Sequence, residues 1–400
     1  MHAASHPNGE PRADVAVVGG GIVGLMIAWE LVRSDRTVRV IDPDPAGGAS
    51  YAAAGMLAAV SELHYQEDAL LALMLESAQL WPGLLDSLPE GTRDTGYRTA
   101  QTLVLGLDAA DKRALTDLRA AQARHGLEVE PLSVREARRI EPMLSPSLSC
   151  AFHVAADHQV DPRRVCRQLI AAIGSRGGSL VRASAVALLR AEPGENARVT
   201  GVALDDGSGV LAGEVIVANG LGASGLGGLL APLESALRPV HGDILRLRVP
   251  DRLRPLLTAT VRGVVRGHPV YLVPRDDGTL VVGATSREDG LSGVAAGGVY
   301  QLLRDAQALA PAVAELELVE VTARARPGTR DNAPLLGRMR DTDGESIAGL
   351  VVATGFYRHG VLLSPVAADL CRRVVDGESP SSLDAFHPDR FSQAKSKEPV

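Results

Sequence analysis

The sequence predicts an α/β protein in which the segments of a parallel sheet are interleaved with an α+β unit built on an antiparallel sheet. Three observations carry that prediction. A short apolar strand runs through a glycine-rich turn into an apolar-faced helix within residues 14–42. Two later apolar strands, in 214–223 and 350–355, also end in small-residue turns. Residues 236–325 alternate apolar with polar positions ("GDILRLRV", "PVYLVP", "TLVVGAT"), which predicts a half-exposed antiparallel sheet.

The first unit, "DVAVVGGGIVGLMIAWELVRSDRTVRVIDPD", begins at Asp14. Val15 to Val18 is a continuous apolar run, as in a strand buried on both faces. Gly19, Gly21 and Gly24 form GxGxxG, and Ile22, Val23, Met26, Ile27 and Leu31 follow at helical spacing. A second strand, Val38 to Ile41, ends in Asp42. The first glycine permits the tight turn, the second admits a pyrophosphate, and the third lets helix pack on strand. The helix N-terminus turns unpaired N–H groups and a positive dipole end toward the phosphates. Asp42 can accept hydrogen bonds from an adenosine ribose, which favours NAD or FAD over NADP. A bare GxGxxG is weak, but here strand, helix, second strand and acid fall where a Rossmann-like dinucleotide unit requires them.

"PDPAGGASYAAAGMLAA" (43–59) is too small-sided to build a core. It can let a flat ring lie against main chain with N–H groups facing ring and phosphates, or it can be a flexible loop. Composition does not separate the two. "ALLALMLESAQL" and "AADKRALTDLRAAQARHG" have helical spacing around a strand-like "RTAQTLVLG". "DHQVDPRRVCRQLIAAI" predicts a helix with Asp161 as N-cap and Pro162 in its first turn. "VVATGFYRHGVLLSP" (351–365) reads as a buried strand, a glycine turn and a helix starting at exposed Tyr357, Arg358 and His359. Residues 1–13 and 389–400 read as disordered tails.

Four hundred residues exceed one compact core and point to two domains. A net charge of −7 argues against a nucleic-acid partner. Cys150, Cys166 and Cys371 are widely spaced and form no CxxC, which argues against a disulfide framework or a metal site. A reducing, cytoplasmic compartment fits this usage. No stretch reads as a signal peptide or a membrane span.

"GGASYAAAGMLA" after the GxGxxG–Asp unit resembles the D-amino-acid oxidase family and, within it, the glycine oxidases of thiamine biosynthesis. "DHQVDPRRV" (157–165), "YLVPRDDGTLVVGAT" (271–285), "RPGTRDNAPLLGR" (326–338) and "ATGFYRHGVLLSP" (353–365) match in the same order, so the resemblance runs from about residue 14 to about 385. It implies two intertwined domains: FAD-binding over 14–60, 151–235 and 326–388, and substrate-binding over 61–150 and 236–325. It implies non-covalent FAD, since none of the cysteines falls in a motif where a covalent link would form. The implied FAD contacts are Gly19, Gly21, Ile22, Val23, Gly24, Asp42, Pro43, Ala49, Ser50, Ala54, Gly55, Met56, Val186 and Gly220. The late turn adds Gly355, Phe356, Tyr357, Arg358, His359, Gly360, Val361 and Leu362.

For chemistry, the resemblance implies Arg326 on the substrate carboxylate, Tyr271 over the substrate, and Arg358 reaching toward it from the flavin edge. The residue types suit those roles. An arginine fork matches a carboxylate in two parallel hydrogen bonds. The "RPGT" sequence would hold Arg326 on a rigid turn, with Arg324 an ordinary surface arginine. Tyr271 shares a strand face with Val273, opposite Val270 and Leu272. A helix N-terminus beside the N1/C2=O edge would stabilise negative charge there. The plain alternatives are a surface arginine, a core tyrosine and a solvated helix-start arginine. His359 stands where relatives commonly carry asparagine, and Asp243 where many carry glutamine.

The expected reaction is FAD-dependent oxidation of glycine, or of sarcosine or a small D-amino acid. An imine, glyoxylate, ammonia and H₂O₂ would form, with O₂ as acceptor and the imine feeding thiazole synthesis. A dehydrogenase using another acceptor and a non-catalytic flavoprotein are the rivals. The expected partners are a small amino acid and O₂, with no nucleic acid or membrane and with a homo-oligomer left open.

Overall fold

The computed structural model describes residues 12–229, 236–341 and 343–391. Most of both expected tails, 1–11 and 392–400, lies outside the described residues. Arg12 and Ala13 do not belong to a tail: Arg12 Nη2 donates to Ala212 O (3.0 Å) and buried Ala13 opens the first strand.

The chain starts with β1 (Ala13–Val18), α1 (Ile22–Arg33), β2 (Val38–Ile41), the short α2 (Ala49–Ala52) and β3 (Met56–Leu57). Next come α3 (Asp68–Asp86), β4 (Thr102–Gly106), α4 (Ala109–Arg124), β5 (Glu130–Leu132), α5 (Val134–Ile140), β6 (Cys150–Val154) and β7 (His158–Gln159). Then follow α6 (Pro162–Ser175), β8 (Ser179–Val181), β9 (Ala185–Arg190), β10 (Val199–Leu204) and β11 (Gly209–Val217). The strands β12 (Arg238–Arg248), β13 (Thr260–Val265), β14 (His268–Pro274) and β15 (Thr279–Gly283) precede α7 (Ala296–Leu309). Last are β16 (Glu317–Gly328), β17 (Leu335–Arg340), β18 (Ser346–Thr354) and α8 (Ser364–Val375).

The first sheet runs β17-β18-β11-β1-β2-β8, with β9 and β10 attached through β11. From β18 to β8 its strands are parallel. Val15 and Val17 face the core that includes α1 and α8, while Ala16 and Val18 face a second apolar layer. Burial on both sides is why β1 reads as an unbroken apolar run. Asp161 caps α6 as expected, accepting from the N–H groups of Arg163 and Arg164.

The second sheet runs β16-β12-β15-β14-β13-β4-β6-β5 and is antiparallel except where β13 meets β4. β6 pairs with β4, so the chain changes sheet after residue 154 rather than at 150. The predicted half-exposure fails at β12, whose residues 242–247 are all buried. Leu245 and Leu247 face the core containing Leu302 and Ala306 of α7. Ile244 packs instead with Ala52 and Ala54 of the small-residue run. The alternating polar residues are therefore buried and partnered, not solvated. Asp243, 0% exposed, accepts from Arg287 Nε (3.1 Å), Thr285 Oγ1 (2.7 Å) and the Ala295 N–H (3.3 Å).

The expected helix at Tyr357 begins about two turns later, at Ser364, and residues 356–363 form a turn-rich segment instead. Pro365 suits the first turn of α8. The Leu362 carbonyl is held by Ser77 Oγ (2.7 Å) and Trp81 Nε1 (3.1 Å) of α3, which fixes the segment before the helix starts. Among the described residues no helix is long and apolar enough to cross a membrane.

Removing one member of a buried ion pair leaves the other uncompensated, at a cost of about 3–5 kcal/mol. Asp243→Ala should lower folding stability by that order, read as a drop in the urea midpoint. A midpoint equal to that of the wild type would refute the account of β12.

Candidate functional site

A cavity of about 400 Å³ lies between the two sheets. At one end are Asp42 and Asp44 after β2, with Ala218, Asn219 and Gly220 after β11. At the other are Glu62, Tyr271, Arg326 and Arg358.

The glycine turn is shaped by close approach. Gly19 has φ +114°, and a Cβ there would stand 2.5 Å from Ala218 O. A Cβ on Gly24 would run into Gly19 O, so only glycine lets α1 start this close to β1. Asp42 braces the turn, accepting from Gly20 N (2.6 Å) and Asp44 N (2.8 Å), and its carboxylate also faces the cavity. Ser50 Oγ accepts from Ile22 N (2.9 Å), tying the small-residue run to the first turn of α1.

That run is held from behind by arginines. Arg324 Nε donates to Gly47 O (3.0 Å); Arg163 Nε (2.8 Å) and Arg246 Nη2 (3.2 Å) donate to Tyr51 O. Arg275, 8% exposed, donates to Ala54 O and to Val160 O (2.7 Å). In a trans peptide the following N–H points opposite the carbonyl. The straps therefore turn the amides of Gly48, Ala52 and Gly55 away from the arginines. Burial lowers the Arg275 guanidinium to about 10, against the opposing pull of Asp161, so it stays charged at neutral pH.

At the far end, glycines on neighbouring strands make room for large side chains. Tyr271 pairs across β14–β15 with Gly283, where a Cβ would collide with the phenol ring. A Cβ on Gly242 of β12 would collide with the Arg326 guanidinium. Arg326 Nη1 donates to Thr285 O (3.2 Å), and among the described residues no carboxylate stands within ion-pair distance of it. Burial raises the Tyr271 phenol, only partly offset by Arg326, so its hydroxyl is protonated at neutral pH. Glu62 also lines the cavity. Burial alone would raise its carboxyl, but the Arg262 charge, the adjacent His359 ring and the Arg358 charge outweigh that and hold it well below the usual range. Tyr357 has φ +48°, a left-handed conformation that strains a non-glycine residue, and its ring also lines the cavity.

Of the residues singled out from sequence, Gly21, Ile22, Val23, Asp42, Ala49, Ser50, Ala54, Gly55, Met56 and Gly220 line the cavity. Phe356, Tyr357, Arg358, Gly360, Val361, Tyr271 and Arg326 line it too. Gly19, Gly24, Gly355, His359 and Leu362 are buried outside that lining, and Pro43 is exposed outside it. Val186, 44% exposed on β9, is not part of it, and its carbonyl accepts from Gly227 N (2.9 Å). Arg326 is on strand β16 rather than a turn, and Arg324, two residues away on the same strand, reaches the cavity wall instead of being merely a surface arginine. His359 is 1% exposed, not solvated. The cysteines are buried and free, and none lines the cavity. Sequence reading missed Glu62, Gly242 and Arg324. Gly242 carried a signal, since a glycine inside a strand marks a close approach by something else. Glu62 carried none beyond following a small-residue run.

The lining fits FAD, the cofactor implied by the sequence. A carboxylate acceptor stands at one end, a helix N-terminus follows, and a wall of small residues leads to the two arginines. A family model described as FAD dependent oxidoreductase matches residues 14–373. The chain is 34% identical over 377 residues to the glycine oxidase of Geobacillus kaustophilus, covering 91% of this chain and 93% of that protein. It is 30% identical to the bifunctional protein ThiO/ThiG of Trichormus variabilis over 97% of this chain, and spans 56% of that longer protein. The crystal structure of glycine oxidase from Geobacillus kaustophilus matches with a TM-score of 0.83 at 31% identity, covering 96% of this chain and 99% of that one.

Arg275→Met would leave two buried carbonyls unpaired at about 1–3 kcal/mol each. The variant should melt at a lower temperature and purify with less flavin per protein by absorbance; wild-type flavin content would count against the strap. A pH test addresses the loop ahead of Glu62. Asp157 accepts from Val60 N and Ser61 N, both at 3.0 Å, and burial pushes its carboxyl up to about 6 against those bonds. A carboxyl raised by folding stabilises at low pH, and that contribution is lost as pH rises through about 6. From pH 5 to 7 the wild type should lose about 1 kcal/mol of stability relative to Asp157→Asn. Urea midpoints of both proteins at both pH values measure this, and parallel shifts would contradict it.

Proposed function

The chain belongs to the FAD-dependent oxidoreductase family, and from that premise we propose that it oxidises the Cα–N bond of glycine or a similarly small amino acid. The observation that carries this reading is Arg326: a guanidinium on the cavity wall, beside Tyr271, with no carboxylate partner among the described residues. An unmatched fork in a partly buried cleft suits a substrate carboxylate.

FAD, when bound, supplies the hydride acceptor. We assign the pyrophosphate to the N-terminus of α1 at Gly21 and Ile22, and the ribose to Asp42. The ring lies along Ala49, Ser50, Ala54 to Met56, and Phe356 to Val361. Arg326 and Arg358 hold the substrate carboxylate between them, and the protonated Tyr271 hydroxyl lies over the substrate. Together they hold Cα–H toward the acceptor, while Met56, Ile244 and Val361 keep water from the reacting carbon. Loss of hydride leaves an imine, which water converts to glyoxylate and ammonia, with O₂ becoming H₂O₂. The likeness to the fused ThiO/ThiG protein supports a supply of imine to thiazole formation for thiamine. Three buried free cysteines support a reducing, cytoplasmic setting.

Anaerobic mixing with glycine, sarcosine and D-alanine should bleach the flavin with at least one of them, and admitting air should then yield peroxide. No bleaching by any of them overturns the reading; bleaching reversed only by an artificial acceptor overturns the oxidase assignment. Arg326→Ala should lower kcat/KM by roughly 100-fold, the worth of two charge-assisted hydrogen bonds, with FAD still bound. Unchanged kinetics would remove Arg326 from the site.

A further inference from the structure

Arg358 is held by its sequence neighbour. Its Nε donates to His359 Nε2 at 3.1 Å, and an imidazole nitrogen that accepts a hydrogen bond carries no proton. In neutral His359 the proton is therefore on Nδ1, which stands 3.2 Å from Glu62 Oε2 without the alignment of a hydrogen bond. The other oxygen, Oε1, pairs with Arg262 Nη1. The line Arg262–Glu62–His359–Arg358 joins β13 of the second sheet, the loop after β3, and the turn before α8. Asp157 fixes the Glu62 loop from behind through the N–H groups of Val60 and Ser61. Arg358 Nη2 is buried without a hydrogen bond; Glu67 Oε2, at 3.6 Å, is too far to supply one and is itself unmatched. The rest of the Arg358 side chain is partly exposed on the cavity wall, where a guanidinium N–H can meet an incoming anion.

We propose that His359 is a positioning residue: accepting from Arg358 and facing Glu62, it holds the Arg358 guanidinium at the wall in the orientation that receives a substrate carboxylate. This rests on the reading of Arg358 as substrate-facing. It also gives the residue at 359 a role of its own, because the arrangement needs an acceptor toward Arg358 and an N–H facing the Glu62 carboxylate in one side chain. Leucine has neither. Glutamine has both.

The test uses FAD-loaded protein titrated with acetate, a carboxylate with no amine to oxidise, followed by flavin absorbance. His359→Leu should weaken acetate about tenfold and raise the glycine KM similarly, with kcat changed less than about threefold. His359→Gln should restore both to within about threefold of the wild type. Arg358→Ala separates the two levels. Unchanged acetate binding in that variant removes Arg358 from the substrate and takes the Arg358 assignment above with it. Weakened binding there, with wild-type binding in His359→Leu, overturns the positioning role alone. Because His359→Leu could lose FAD, ¹⁵N shifts of histidine-labelled wild type give an independent reading, assigned by the signal missing in His359→Gln. A proton on Nδ1 supports the proposal, and one on Nε2 overturns it.

Discussion

The shape of this site depends on guanidinium groups gripping the carbonyls of one small-sided loop. Residues 47–54 have few side chains able to pack, so propensity and core burial leave their path open. Arg324, Arg246 and Arg275 reach the loop from the second sheet's strands or their ends, and Arg163 from the start of α6. A guanidinium offers several donors in a fixed fork, so it can define a peptide orientation where a methyl group cannot. Much of the arginines' charge is balanced close by. Glu320 takes two hydrogen bonds from Arg163, and those bonds pull its carboxyl down to about 2 despite some burial. The positive potential left around the loop suits an anionic cofactor.

The same economy of side chains appears at the other end. Tyr271 and Arg326 are not placed in a ready hollow; each occupies room made by a glycine on an adjacent strand, Gly283 and Gly242. Substituting either glycine would move the tyrosine or the arginine rather than merely crowd the sheet. These two glycines matter to the site although they need touch no ligand through a side chain.

The dinucleotide-binding half was legible because its signals are local: a strand run, three glycines at fixed spacing and an acid at the strand end all sit within thirty residues. The second sheet was legible as a sheet, but its exposure was not. Asp243 and Arg246 look like solvent-facing letters in an alternating pattern, but each is covered on its own face: Arg246 by the loop it straps at Tyr51, and Asp243 by Thr285, Arg287 and the start of α7. The late helix start was misplaced for a related reason, since Ser77 and Trp81, almost three hundred residues earlier, decide where the turn ends. Glu62 stayed invisible because its partners, Arg262 and His359, lie two hundred and more residues away in sequence.

The order β18-β11-β1 at the centre of the first sheet has a kinetic consequence. Three adjacent parallel strands come from residues 346–354, 209–217 and 13–18, so the sheet closes only after most of the chain has been made and long loops have been brought together. The cavity is bounded by turns at the ends of these same strands and by the second sheet threaded between them. No early fragment can hold the cofactor, and a cofactor that binds only the completed sheet draws the whole folding equilibrium toward it by mass action.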